Sequence, residues 1–206
     1  MLKTITKELK NHAPFTVFGS IAGLIVMVLL YKIPYRASYN IFYILHPAHV
    51  VLSAIVTASM YRLHITGKYK LLSLILVGYL GSVGIATLSD SIIPYIGEVL
   101  LDLPNRGIHI GFIEEWWLVN PLAFAGIAIA YFRPATKFPH TGHVLLSTWA
   151  SSFHIIMAVG GILSVSLIIT AFIFLFISVW IPCCMSDIVF PLLFVGEKDK
   201  HGKTPE

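Results

Sequence analysis

The sequence predicts an all-α integral membrane protein of about six transmembrane helices, arranged as two inverted three-helix repeats with both termini in the cytoplasm. Three observations predict it. The composition is too poor in charge for a water-facing surface, several apolar runs are long enough to span a bilayer, and a pair of polar motifs recurs in the same order in each half of the chain.

Of the 206 residues, 57% are hydrophobic and only 12% charged, whereas a soluble domain carries roughly 25% charged residues. Most of the outer surface must therefore face something apolar, and the lipid bilayer is the expected partner. A helix needs ~20 apolar residues to cross the hydrocarbon core. Runs of about that length fall at 15–31, 42–63, 71–93, 116–132, 144–162 and 164–195. The first lacks a small-residue cleavage site, so it reads as a retained helix and not as a signal peptide. The last is too long for a straight crossing. Pro182 is expected to kink it or end its membrane part, leaving 186–195 as a second, interfacial or half-crossing segment.

Lysine and arginine set the orientation. With the N-terminus in the cytoplasm, eleven of them fall on that side: Lys3, Lys7, Lys10, Arg62, Lys68, Lys70, Arg133, Lys137, Lys198, Lys200 and Lys203. Lys32, Arg36 and Arg106 fall on the other, the bias that the positive-inside rule expects. The location that follows is the cell (inner) membrane, with 196–206 as a cytoplasmic tail. The segment 94–115 is then an outer acidic loop, with Glu98, Asp102, Glu114, Glu115 and His109 in or beside it. The net charge of +4 is scattered over short loops, which excludes a nucleic-acid patch. Two adjacent cysteines, Cys183 and Cys184, make no disulfide framework.

The repeat is carried by two motifs. His46-Pro47-Ala48-His49-Val50-Val51-Leu52-Ser53 matches His140-Thr141-Gly142-His143-Val144-Leu145-Leu146-Ser147 at an offset of 94. Ser89-Asp90-Ser91-Ile92-Ile93-Pro94 matches Ser186-Asp187-Ile188-Val189-Phe190-Pro191 at an offset of 97. An apolar run ending in a basic residue and a proline, Gly23 to Pro34, resembles Gly126 to Pro134. Repeat one covers about 14–97 and repeat two about 114–195. Three spans per repeat force the second to enter the membrane reversed, a plan that recurs in transporters with sites near the repeat interface.

The polar residues of spans 2 and 5 form stripes. His46, His49, Ser53 and Thr57 are separated by steps of 3, 4 and 4, and His140, His143, Ser147, Ser151 and His154 by 3, 4, 4 and 3, so each set shares one helical face. Facing lipid, such groups would lack partners, so the stripes are expected to face the bundle interior or a wet cavity. With Ser53 and Ser147 near the midplane, His49 lies ~6 Å toward the outside, His143 ~6 Å toward the cytoplasm and His154 ~10 Å toward the outside. The expected outer constellation is His46, His49, Asp90, His154 and one of Glu114 and Glu115. The expected inner one is His140, His143, Asp187, Cys183 and Cys184. Ser53, Thr57, Ser147 and Ser151 are expected along a substrate path between them.

Imidazole with carboxylate suits zinc, manganese, iron, cobalt or nickel, and thiolate would favour softer ions such as zinc or copper(I). The function expected is a small transporter for a divalent transition-metal cation, with an ion or small molecule as its substrate and no chemistry of its own. No ATP-binding P-loop is present, so a gradient or a partner would drive it. Three other readings compete. An intramembrane metal-dependent hydrolase would use His49, Asp90 and His154 as ligands and Glu115 as base. A b-type haem electron carrier would use histidines on facing helices, although the Cys-x-x-Cys-His motif of attached haem is missing. In a scaffold, the same histidines would only join helices. The glycines at 19, 23, 78, 81, 84, 126, 160 and 161 are read as packing residues, and a homo-oligomer is compatible with the sequence.

Overall fold

A computed structural model of the chain describes residues 2–65 and 71–195. The expected tail 196–206 and the loop lysines Lys68 and Lys70 lie outside the described residues, as do the side chains of Lys3, Lys7, Lys137 and Cys184. The described residues form helices without a strand: α1 (Leu2–Leu30), α2 (Tyr35–His64), α3 (Leu71–Leu100), α4 (Trp116–Phe132), α5 (Lys137–Val159) and α6 (Val165–Leu193). All but α4 contain a stretch long and apolar enough to cross a membrane, and α4 is a shorter apolar helix of 17 residues.

Three helices are longer than hydropathy alone suggests. α2 begins at Tyr35, where the Pro34 carbonyl accepts from the Ala37 and Ser38 amides at 2.9 and 3.2 Å. The polar residues of that first stretch hide it from a hydropathy reading. α5 starts six residues or more before its apolar run, with the Thr136 carbonyl accepting from the His140 amide at 2.9 Å. α3 continues to Leu100, which puts Glu98 on a helix instead of in a loop.

Of the two outcomes expected at Pro182, a kink or an end, the helix does not end there. α6 runs on through it, because backbone groups in an apolar setting must keep their hydrogen bonds. The Met185 amide bonds the Ile181 and Pro182 carbonyls, and the next turn, Met185–Val189, widens into a π turn. The same widening occurs at Leu88–Ile92 in α3, where the Ile93 amide bonds the Leu88 carbonyl five residues back. These two π turns each carry an aspartate, Asp90 or Asp187, with a proline four residues later, Pro94 or Pro191, whereas a third, Leu80–Gly84 in α3, has neither. A proline has no N–H to give to the carbonyl four residues earlier. Each aspartate therefore sits where the regular ladder is interrupted, as π turns at functional sites often do.

α2 and α5 pack against each other at the centre. α1 packs on α5 and α6, and α4 packs on α2 and α3. Two glycines permit the close crossings. A Cβ at Gly23 would lie 2.5 Å from Ser152 Oγ on α5, and one at Gly126 would lie 2.6 Å from the Val51 carbonyl oxygen on α2. Small residues allow membrane helices to approach in this way. At one end of the bundle Arg62 donates to the carbonyls of Ala130 and Tyr131, and the Ala135 amide donates to Ser59 Oγ at 3.0 Å. At the other end the Asn105 amide donates to the Ala158 carbonyl at 3.1 Å. There Gly160 closes α5 at φ +64°, the left-handed conformation that glycine adopts without strain.

The polarity is inside out relative to a water-soluble bundle. Val165, Ile169, Ile173, Ile177 and Ile181 form an exposed stripe down α6, and Phe18, Ile21, Ile25 and Leu29 do so on α1. Serine, threonine, histidine, aspartate and glutamate fill much of the buried interior. An apolar exterior around a hydrogen-bonded interior is what a bilayer selects.

Candidate metal centre

The histidine stripes of α2 and α5 face each other, and the π turns of α3 and α6 bring one aspartate to each. Asp90 Oδ2 accepts from His46 Nδ1 at 2.9 Å and from His49 Nδ1 at 2.7 Å. Its other oxygen, Oδ1, accepts from Ser89 Oγ and Ser147 Oγ, each at 2.7 Å. Asp187 Oδ2 is bonded by His140 Nδ1 and by His143 Nε2, the latter at 2.8 Å. Its Oδ1 is buried with no hydrogen-bond partner. The two aspartates thus differ: Asp90 has four donors, filling its lone-pair sites, whereas Asp187 keeps one oxygen open.

The two clusters touch. His143 Nδ1 lies 3.4 Å from His49 Nε2, with the rings stacked at 23° and their centroids 5.5 Å apart. A continuous chain results: His46, Asp90, His49, His143, Asp187, His140. Spacing along the helices places His49 and His143 at different depths, on separate sites. In the structure they meet instead, and the two sites adjoin.

The serines and threonine hold the aspartate-bearing turns. Ser147 Oγ lies 3.2 Å from Ser89 Oγ, and Ser53 Oγ lies 3.2 Å from Ser186 Oγ. Ser151 donates to the Ser89 carbonyl at 3.0 Å, Thr57 meets Ser186 Oγ at 2.9 Å, and Ser186 Oγ donates to the Gly81 carbonyl at 2.9 Å. Ser89 and Ser186, though inside the repeated motif, give no sign of this role in the sequence, because serines on a membrane helix are commonplace.

Three groups have ligand atoms within 4.8 Å of one another: His46, His49 and Asp90; His49, His143 and Cys183; and His140, His143 and Asp187. These offer donors of the kind transition-metal ions take; the carboxylate pairs of His46, His49 and His143 stand at hydrogen-bond distances of 2.7–2.9 Å, and the imidazole–imidazole pairs at ligand spacing. Around zinc, bonds of ~2.0–2.3 Å to nitrogen and sulfur put neighbouring tetrahedral donors about 3.3–3.8 Å apart. The nitrogen separations of 3.4 Å between His49 and His143 and of 3.3 Å between His143 and His140 match that edge.

The remaining candidates are placed apart from these triads. His154 Nδ1 bonds Glu98 Oε1 at 2.6 Å, not Asp90. Glu114 accepts from Tyr43 Oη at 2.6 Å and pairs with His109 Nδ1 at 3.2 Å. Burial pushes the Glu114 carboxyl up, but the Tyr43 hydroxyl, His109 and the Ile110 amide outweigh it and hold the group below its ordinary range. Glu115 sits at the join before α4, where its carbonyl accepts the Leu118 and Val119 amides at 2.9 Å. The side chain of Cys184 is outside the described set, while Cys183 is buried in the middle triad.

No family model, curated protein or solved structure matches this chain. Its chemistry is therefore argued from the site alone. The arrangement can bind a cation of zinc's size in three adjoining positions, or relay a proton along the same nitrogens.

Proposed function

We propose that the chain is a small six-span membrane transporter for a divalent transition-metal cation, working by alternating access between two inverted three-helix repeats. The observation that carries this is the unbroken row of metal-type donors from His46 to His140, buried except at His140 and joined through His49 and His143. A catalyst needs one site open to its substrate. Three adjoining triads that share ligands favour passage of an ion from one to the next.

The repeat gains support from contacts that exchange partners between halves. Ser147 reaches Ser89, and their sequence counterparts Ser53 and Ser186 meet at the same 3.2 Å. Asp90 pairs with the two histidines of its own half, as Asp187 does with its own. His49 and His143 meet each other, as residues beside a two-fold axis do. α4, counted from its apolar composition as the sixth span, takes the place opposite α1. With the N-terminus in the cytoplasm, His140 marks the inner end of the row. Its side chain is 23% exposed against 1% for His46, which is compatible with a state closed to the outside.

The roles that follow are these. His46, His49 and Asp90 hold the ion toward the outer loop; His140, His143 and Asp187 hold it toward the cytoplasm. Cys183 completes the middle position and biases the choice toward zinc or another soft ion. Ser53, Thr57, Ser147 and Ser151 position the two aspartate turns.

The test is flux. Purified protein in liposomes loaded with a metal-sensitive dye is challenged with zinc, manganese, iron(II), cobalt or nickel. We expect at least one ion to cross and the flux to vanish in His49→Ala. If folded protein moves none of the five, transport of these ions is wrong; lipid hydrolysis under the same conditions would move the reading to a hydrolase.

A further inference from the structure

We propose that His154, His109, Glu98 and Glu114 form a second cation-binding site at the loop end of the bundle, a loading position separated from the first triad by the ring of Phe42. The proposal rests on the metal-transport reading above but uses none of its three triads.

The key residue is His154. Its Nδ1 is bonded to the buried carboxylate of Glu98 at 2.6 Å, and its Nε2 is buried with no hydrogen-bond partner. A carboxylate accepts, so Nδ1 carries the proton and Nε2 the lone pair. A histidine held by a carboxylate on one nitrogen and bare on the other is the arrangement in which metal-binding histidines are oriented. As helix glue alone, the pair would have no use for a buried, unfilled acceptor. His46 repeats the pattern, with Nδ1 on Asp90 and Nε2 buried and partnerless.

Phe42 lies between these two bare imidazoles. Its ring stacks on His46 at 5.3 Å and 9° and meets His154 edge-on at 5.5 Å. On the loop side the His109 ring packs edge-on against His154 at 5.3 Å. His109 is in turn held by Glu114 at 3.2 Å through Nδ1 and by the Tyr35 hydroxyl at 3.2 Å through Nε2. Two histidine–carboxylate pairs thus converge, one buried and one at the surface. Gly111 packs closely against His46: a Cβ there would lie 2.5 Å from His46 Nε2, so only glycine fits against that ring. A cation captured by the bare His154 Nε2, with His109 joining once Tyr35 releases its Nε2 and with Glu98 and Glu114 balancing the charge, would need only a rotation of Phe42 to reach His46.

The experiment counts ions bound to the full-length protein in detergent, by titration with cobalt(II) and elemental analysis after dialysis. Wild type is compared with His154→Gln/His109→Gln and with His49→Gln/His143→Gln. Glutamine can still donate to the carboxylates, so both variants are expected to fold. The first is expected to lose one equivalent while the central ions stay, and Glu98→Gln to weaken that equivalent about 10–100-fold. An unchanged cobalt count and affinity in folded His154→Gln/His109→Gln overturns the loading site. A second variant that binds only one cobalt, lost again when His154 is also replaced, supports the loading site; if wild type already binds only that one, the central triads fail without it.

Discussion

His49 and His143 face each other through nitrogens 3.4 Å apart, while the far nitrogen of each ring is bonded to a different aspartate. That relationship contains a conflict. Each aspartate takes the N–H of the imidazole beside it, so two neutral rings would present lone pairs to each other across the gap. A buried acceptor without a donor costs about 1–3 kcal/mol. One added proton or one cation between the rings removes the conflict. A metal that does so must stabilise the fold: an ion present at 100 times its dissociation constant adds about 2.7 kcal/mol. Zinc is expected to raise the melting temperature of wild type, a chelator to reverse the rise, and His49→Gln/His143→Gln to respond much less.

Asp90 and Asp187 are expected to differ under the same substitution. Asp90→Asn replaces one of two oxygens that each accept two hydrogen bonds, and so turns an amide toward two hydrogens already pointing inward, a loss of about 3–5 kcal/mol for a broken buried pair. Asp187 has a vacant Oδ1 onto which the new amide can be turned. Asp187→Asn is therefore expected to cost about half as much or less. Equal losses in unfolding measurements would contradict the asymmetry.

The close crossing of α4 on α2 depends on Gly126. A leucine there drives atoms into the Val51 carbonyl and the Ala54 side chain, which a Cβ alone would approach to 2.6 and 2.9 Å. Gly126→Leu is expected to destabilise by about 1–3 kcal/mol or more. Gly84, where a Cβ meets nothing within 4 Å, provides the control: Gly84→Ala is expected to leave stability unchanged or slightly raised in a detergent unfolding series.

The loop between α3 and α4 is expected to carry a pH dependence. Glu114 is held below its ordinary value of 4.5, against the upward push of burial, by Tyr43, His109 and the Ile110 amide. A depressed carboxyl stabilises the fold above its unfolded value, and the contribution is lost as pH falls through the folded one. Emission from Trp116 and Trp117, next along the chain, is expected to change as pH drops below about 4.5, and Glu114→Gln to remove the change. The same transition in the variant would place its origin elsewhere.

Much of the centre is legible in the amino-acid sequence. The paired His-x-x-His-Val-x-Leu-Ser and Ser-Asp-x-x-x-Pro motifs name the four central histidines, both aspartates and Ser53 and Ser147, while the part played by Ser89 and Ser186 is not legible in them. Helical spacing puts the histidines on one face. Depth is not legible, because a rise of 1.5 Å per residue treats each helix as lying along the membrane normal, whereas His49 and His143 meet at 3.4 Å. Glu98 is hidden by a boundary: the last strongly apolar run of span 3 ends before it, which makes the next turn look like loop. Depth alone groups His154 with Asp90, whereas side-chain direction gives it to Glu98. Pro182 suggests an end that the helix does not make: it stays α-helical to Cys184, as α2 does through Pro47 and α4 through Pro121.

The most direct measurement is X-ray absorption at the metal edge of zinc-loaded, full-length protein. The account predicts a first shell with imidazole nitrogens at ~2.0–2.1 Å and one sulfur at ~2.3 Å, with the sulfur lost in Cys183→Ser and the imidazoles in His49→Gln/His143→Gln. Folded protein that retains no zinc, or zinc surrounded only by oxygen in wild type and variants alike, would contradict it.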